Sequence, residues 1–535
     1  SVVDSHAGAF QPHIASLGAK HAEHGKCQIS VRDGAPERRF PGCALSIQMD
    51  ELMITCCVGK LLYLLLGDGM PFADAGFRAD QGFGRGRAEL SGHRISPAVM
   101  QFNGKVCCTA VFNRMLMAST DHFGSLMTRT TLQQEYDIAI VGAGMVGATM
   151  ALALADTGLR LALLDARPPA PVESLRPDEF DARVSAMTHA SRRQFEQLGV
   201  WPLITGRRVC PYTHMHVREA DGTGQIDFDA RDVASDSLGH IVENSVVLAA
   251  LQEALSLHVN VELLAPVKVT GYSIADEGDG LLAIDDQDGN PQTLQAGLII
   301  AADGANSQLR GLAGLKTREW DYEHHAVVTT VRTALAHEHT ARQIFMDEGV
   351  LAFLPLQDNG DDPGHYCSIV WSVVPEKAAT LMGMPDDQFC QVLTLASESW
   401  LGPVISAAQR FSFPLRQRHA ADYYQGPLVL IGDAAHSIHP LAGQGANLGL
   451  QDVQVLAQEI RRAVRTGRRL NDPLVLSRYQ RQRKVQNLGM MAVMEAFKRL
   501  YSDQPLPVRW LRNTGMRAVD GWPLLKNQIM RQALG

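Results

Sequence analysis

The chain has 535 residues, enough for two or three domains that each bury a core, so no staple of disulfides or metals is required to hold it together. Its net charge of −8 leaves no basic footprint, which speaks against nucleic acid as a partner and against polybasic attachment to a membrane. The nine cysteines form no C-x-x-C pair and no zinc-ligand spacing, and the adjacent pairs Cys56-Cys57 and Cys107-Cys108 suit no disulfide framework; a reduced, cytoplasmic setting without a metal centre is expected.

Residues 1–133 hold six of the nine cysteines and few sustained helical or alternating patterns. Their most apolar stretch, Ala44 to Leu66, is interrupted by Asp50, Glu51 and Lys60, and so fails both as a membrane span and as a signal-peptide core. Methionines at 115, 117 and 127 lie just ahead of the first convincing strand. The expectation is a native start near Met127, with an atypical upstream extension that is poorly ordered or non-native.

From Tyr136 onward, short apolar strands alternate with amphipathic helices, the pattern of an open, Rossmann-like α/β sheet. The first strand, Tyr136-Asp-Ile-Ala-Ile-Val141, runs into Gly142-Ala-Gly144-Met-Val-Gly147 and then a helical pattern from Met145. Glycines there permit a tight turn and close approach of backbone amides to a pyrophosphate, aided by the helix dipole. The next strand, Arg160-Leu-Ala-Leu-Leu-Asp165, ends on the acid that takes ribose hydroxyls in a dinucleotide site. A lone glycine fingerprint occurs in ordinary turns; strand before, helix after and acid downstream make it specific.

Alternating segments such as Gln225-Ile-Asp-Phe-Asp229 and Tyr366-Cys-Ser-Ile-Val-Trp371 predict antiparallel sheet over about 215–290 and 324–415, a substrate domain threaded through a cofactor domain of about 134–214, 291–323 and 416–465. Between them, the strand Leu298-Ile-Ile-Ala-Ala302 ends at Asp303-Gly304, and Pro427-Leu-Val-Leu-Ile431 ends at Gly432-Asp433. Either could be a plain strand-end turn; together with the first glycine motif they place carboxylates and bare backbone beside a nucleotide. His436 follows, then His439, Pro440 and the loop Gly443-Gln444-Gly445, with a helix expected near Asn447. Such a helix N-terminus favours the negative charge that reduced flavin carries near N1 and C2, although an anion site without redox chemistry fits the loop too. A helical region, 466–535, closes the chain; its stretch Asn471 to Tyr501 could cap the domain or pair subunits, and a homo-oligomer is expected.

With these motifs in place, residues 136–535 resemble the class A flavoprotein hydroxylases of the ubiquinone-biosynthesis family, most closely its 2-polyprenylphenol hydroxylase branch. The finer likeness lies in Leu238-Gly-His-Ile-Val-Glu-Asn-Ser245, Trp320-Asp-Tyr-Glu-His-His325, Ala341-Arg-Gln343 and Leu351-Ala-Phe-Leu-Pro-Leu356. The resemblance implies FAD held by Gly142, Gly144, Gly147, Asp165, Arg183, Asp303, Gly304, Gly432 and Asp433, with Pro440, Gly443, Gln444, Gly445 and Asn447 at the flavin ring. Arg183, in Asp181-Ala-Arg183, would otherwise pass for a surface arginine, and Asp165 departs from the family's usual Glu.

It further implies that NAD(P)H and O2 are co-substrates and that a flavin C4a-hydroperoxide hydroxylates a polyprenylphenol ring. The difficult chemistry belongs to the cofactor, while the protein orients the ring and excludes water. No second glycine fingerprint provides a separate nicotinamide domain. His436 and His439 are candidates to assist phenol deprotonation, or are structural hydrogen-bond partners. Phe353, Leu354 and Pro355 are candidates to line the ring pocket, or are ordinary core.

A substrate of this kind partitions into bilayers, so peripheral contact at the inner membrane or delivery by a quinone-biosynthesis complex is expected. Two other functions share the same motifs: a flavin oxidase or reductase acting on another substrate, and a flavin-bearing subunit without turnover.

Overall fold

The computed structural model describes residues 133–168, 179–220, 224–347, 349–358, 363–437, 445–501 and 520–534. The expected N-terminal extension and the loop carrying His439, Pro440, Gly443 and Gln444 therefore lie outside the described residues.

Strand Gln133–Val141 sits near the middle of an eight-stranded sheet, paired in parallel with Leu161–Leu164 on one side and Pro291–Ala301 on the other. Val261–Leu264 and Leu428–Leu430 extend the parallel order outward, and Gly280–Asp285 with Lys268–Ile274 form an antiparallel branch. The central runs Ile138–Val141, Leu161–Leu164, Leu298–Ala301 and Leu428–Leu430 are all buried, as parallel strands covered on both faces require. Helix Met145–Leu154 is apolar nearly all round because it is packed between this sheet and the helices Asn244–Leu255 and Gly445–Arg465.

The second sheet has nine strands, in the order His436–Ser437, Phe411–Ala420, Thr317–Thr333, Tyr366–Val373, Gly349–Pro355, Thr340–Met346, His214–Glu219 and Gln225–Asp229, with Val404–Ala407 pairing off the path to Thr317–Thr333. All its pairings are antiparallel except that of Thr340–Met346 with His214–Glu219. Helices Pro375–Gly383 and Asp386–Ala396 cover one face through Leu381, Phe389 and Leu393, which pack on Leu351, Phe353, Ile369 and Trp371. A three-stranded sheet, in which Gly239–Glu243 pairs with both Val184–Met187 and Cys210–Tyr212, fills the space on the other side.

The α/β class is as expected, and strand membership differs from the expected segmentation. Val261–Leu264, Lys268–Ile274 and Gly280–Asp285 belong to the first sheet, not to the substrate domain. The strands Thr317–Thr333 and Phe411–Ala420 run across the expected junctions at 323 and 415. Alternation of side chains reports that a strand is half-buried and carries no information about which sheet receives it.

Candidate cofactor and active site

The three glycine–aspartate motifs, separated by up to almost 300 residues, meet at the carboxyl ends of neighbouring parallel strands. Gly142 has φ +106°, and a Cβ there would lie 2.3 Å from the Ala302 carbonyl oxygen, so the first motif abuts the second through bare backbone. A Cβ on Gly147 would lie 1.9 Å from the Gly142 oxygen, which closes the turn onto the helix. The third motif joins through Ile431, whose amide donates to Ala301 O at 3.0 Å, and through Arg310, whose guanidinium donates to Ala434 O at 2.7 Å and Ala305 O at 2.9 Å. Val146 packs over Gly432, and a Cβ on Gly449 would come within 2.6 Å of the same valine.

Gly144 is different. Nothing lies within 4 Å of the place its Cβ would occupy, and it caps helix Met145–Leu154 without any side-chain hydrogen bond. An uncapped helix N-terminus facing open space is a ready anion site. Asp303 lends its Oδ2 to the Leu309 amide at 3.2 Å, while Oδ1 is buried without a protein partner. A buried carboxylate oxygen without a donor is strongly unfavourable, and a sugar or ribityl hydroxyl supplies the donor this geometry calls for. Both observations fit a dinucleotide.

Asp165 folds back: its Oδ2 accepts from the Ala143 amide at 2.8 Å and its Oδ1 from the Arg167 amide at 2.9 Å. The shorter acid thus braces the glycine turn, with lone pairs left over for ribose hydroxyls. Asp433 follows Gly432 at the end of the third motif. Burial pushes its carboxyl above the ordinary range, His436 and Arg183 pull it down, and Asp452 pushes it up again. Arg183 is therefore brought within electrostatic reach of Asp433 across about 250 residues of sequence.

The turn that carries Arg183 is built from a buried ion pair that the motifs did not disclose. Arg208 grips Glu243 with two bonds, Nε to Oε1 at 2.6 Å and Nη2 to Oε2 at 2.9 Å, both side chains being buried. Glu243 Oε2 accepts from the Asp181 amide at 2.7 Å; Asp181 in turn accepts from the amides of Arg183 and Ser245, and the Asn244 amide donates to Arg183 O. Glu243 stands inside one of the stretches that carries the family likeness, and a charge directly after Ile241 and Val242 was the signal for it.

The expected helix begins at Gly445, two residues before the expected start near Asn447, and runs to Arg465. Asn447 is not free to meet a flavin ring with its side chain: its amide donates to Ala186 O at 2.8 Å and accepts from Thr188 N at 3.1 Å and Ser191 Oγ at 2.7 Å. It ties the helix to strand Val184–Met187, and that strand, through Ala186, packs on Leu354 of the large sheet. The face of the large sheet that carries Leu354 is therefore the one turned toward helix Gly445–Arg465. Of the expected pocket residues, Leu354 lies on that side with Ala341, Leu356 and Ile241. Phe353 points the opposite way into the helical layer, and Pro355 shares its face by strand alternation, so these two are core. His436 is 2 % exposed and bonded through Nε2 to Asp452 at 2.6 Å, a structural partner and not a group presented to substrate.

Comparison with known proteins agrees with this geometry. The model of the FAD binding domain family matches residues 135–492. The chain is 37% identical over 403 residues to 3-demethoxyubiquinol 3-hydroxylase of Escherichia coli (strain K12), covering 75% of this chain and 99% of that protein. It is 34% identical to the mitochondrial ubiquinone biosynthesis monooxygenase of Xenopus tropicalis, covering 74% of this chain and 92% of the relative. Among solved structures, p-nitrophenol 4-monooxygenase PnpA from Pseudomonas putida DLL-E4 superposes with a TM-score of 0.61 at 19% identity, over 75% of this chain and 98% of that one, a likeness of fold. Enzymes of this class use FAD, with NAD(P)H and O2 as co-substrates. The chain belongs to the FAD-dependent monooxygenase family of ubiquinone biosynthesis.

Proposed function

We propose that this protein hydroxylates the aromatic ring of a polyprenylated phenol on the way to ubiquinone, consuming NAD(P)H and O2. The observation that carries the reading is the similarity to a demethoxyubiquinol hydroxylase along 99% of that enzyme's length, in a chain whose separated nucleotide motifs converge. FAD, when bound, would supply the redox chemistry that links NAD(P)H to O2. The glycine-turn amides and the N-terminus of helix Met145–Leu154 would hold its diphosphate, Asp303 and Asp433 would accept from hydroxyls of the sugar and ribityl chain, and Arg183 would add positive charge beside Asp433. The N-terminus of helix Gly445–Arg465 would favour negative charge on the reduced cofactor, and the apolar wall of Leu354, Ala341 and Ile241 would keep water from the reacting centre.

Supply of a bilayer-soluble substrate favours peripheral contact with a membrane. No helix among the described residues is long and apolar enough to cross one. Near the C-terminus, Trp522 is 66% and Leu524 89% exposed on a segment whose Lys526 is pinned to Asp232 and whose Met530 is buried. Zwitterionic lipid vesicles are expected to retain the wild-type protein and to lose it when Trp522 and Leu524 are both replaced by Ser; equal retention of the double variant would rule out this contact.

The function is tested by complementation in quinone-deficient bacteria lacking each ring hydroxylase in turn. The expected result is that ubiquinone returns in one such strain while its accumulated phenolic intermediate disappears. Restoration in none, with NAD(P)H oxidised regardless of phenol, would favour the oxidase or reductase reading.

A further inference from the structure

Asp452 is fully buried in helix Gly445–Arg465, two turns from its N-terminus. Its Oδ2 accepts from the Gly432 amide at 2.9 Å and from His436 Nε2 at 2.6 Å, and its Oδ1 accepts from Arg483 Nε at 2.7 Å. Arg483 is 1% exposed and comes from a different element, helix Pro473–Tyr501. It also donates to Leu448 O at 3.2 Å, Gln451 Oε1 at 3.0 Å, Asn487 Oδ1 at 2.9 Å and Gln486. Asn487 continues to the Tyr423 hydroxyl, and Tyr423 to His419, the residue that pairs with His436 across the sheet.

Removing two charges from water is strongly unfavourable, and an apolar pair of similar volume stabilises a fold as well or better. A buried pair is therefore poorly explained as a source of stability. What this one does is geometric: a single carboxylate fixes the start of the Gly432–Ala434 turn, the strand residue His436 and the flavin helix relative to one another. Gly432, at φ +58°, is the residue where that turn departs from the strand, and Asp433 follows it. Burial alone would push the Asp452 carboxyl up, but His436 and Arg483 hold it below the ordinary value, so it stays charged and keeps all three bonds.

We propose that Asp452 is a positioning residue for flavin, setting the Gly432–Asp433 turn through the Gly432 amide and His436, with Arg483 as the counter-charge that prevents its carboxylate from opposing the helix dipole at the ring. A lone carboxylate inside the flavin helix would disfavour the reduced anion; the paired one carries no net charge. The inference rests on the flavin-dependent family and not on the identity of the phenol, so it survives a wrong substrate.

The test titrates purified apoprotein with FAD and measures the midpoint potential of the bound flavin, in Asp452→Asn, His436→Gln, Asp452→Asn/Arg483→Met and a control, Leu393→Ala, which cuts the distant helical layer. Asp452→Asn and His436→Gln are expected to weaken FAD binding roughly tenfold while the control stays within about twofold of wild type. Because a guanidinium cannot shed its proton, Asp452→Asn should also raise the midpoint potential, and the double variant should bring it back. FAD affinity in both single variants no worse than in the control, or an unmoved potential in Asp452→Asn, overturns the proposal. If Asp452→Asn is insoluble, His436→Gln, which leaves the Asp452–Arg483 pair intact, decides by its FAD affinity alone.

Discussion

Gly142 and Gly144 stand two residues apart and answer to different physics. At Gly142 a methyl group would meet the Ala302 carbonyl, and φ is +106°, so Gly142→Ala strains the junction of two motifs. At Gly144 φ is −68° and the methyl would meet nothing. Gly144→Ala is therefore expected to change apoprotein stability by less than about 1 kcal/mol while sharply weakening FAD binding, because the methyl fills the space the diphosphate needs. Gly142→Ala should lower both; thermal melts of apoprotein with parallel FAD titrations distinguish them. The glycine spacing was legible in the sequence because tight turns leave a residue-type signature. The use of Asn447 and His436 was not, since side chains that end in the core or in solvent look alike until the packing is known. The trio at 353–355 shows the same limit: Phe353→Ala should cost about 3–5 kcal/mol of stability by opening a cavity in the helical layer, with KM for the proposed phenol substrate unchanged, whereas Leu354→Ala should alter KM.

At the scale of elements, the Arg208–Glu243 pair links the small sheet to the turn that presents Arg183. Breaking one partner of a buried pair leaves a stranded charge, so Glu243→Gln is expected to destabilise the protein by about 3–5 kcal/mol in urea unfolding and to weaken FAD binding as the Asp181–Arg183 turn loosens. Unaltered FAD affinity in a folded Glu243→Gln protein would detach this clamp from the cofactor site. Parallel strands of continuous Ile, Leu, Val and Ala announced themselves in the sequence because they are buried on both faces. Antiparallel strands did not reveal their sheet: Lys268–Ile274 and Gly280–Asp285 alternate like the strands of the substrate layer, and the long-range pairing with Pro291–Ala301 decides where they go. The buried acids Glu243 and Asp452 stand among apolar residues in the sequence, but their meaning depends on arginines 35 and 31 residues away.

For the whole molecule, acid should be destabilising in a defined window. Burial lowers His240, His337 and His419 to about 4 from 6.5. Each is neutral in the folded protein while the unfolded chain binds a proton, so the stability each contributes is complete above pH 6.5 and declines as pH falls toward 4. His337 shows why: its Nδ1 accepts from the His339 amide and its Nε2 faces Leu356 O, leaving no place for a second proton. The urea midpoint is expected to fall between pH 7.5 and 5, and to fall less in His240→Phe, which removes one such group; an identical decline would contradict the assignment.

The central claim is that distant segments assemble one flavin chamber which delivers oxygen to a phenol ring. The most direct measurement is turnover of the purified FAD-loaded protein with NAD(P)H, a short-chain prenylated phenol and 18O2, with the product analysed by mass spectrometry. Incorporation of one labelled oxygen into the ring, matched by NAD(P)H consumed, is the expected result. Unlabelled phenol with all reducing equivalents recovered as hydrogen peroxide would contradict it.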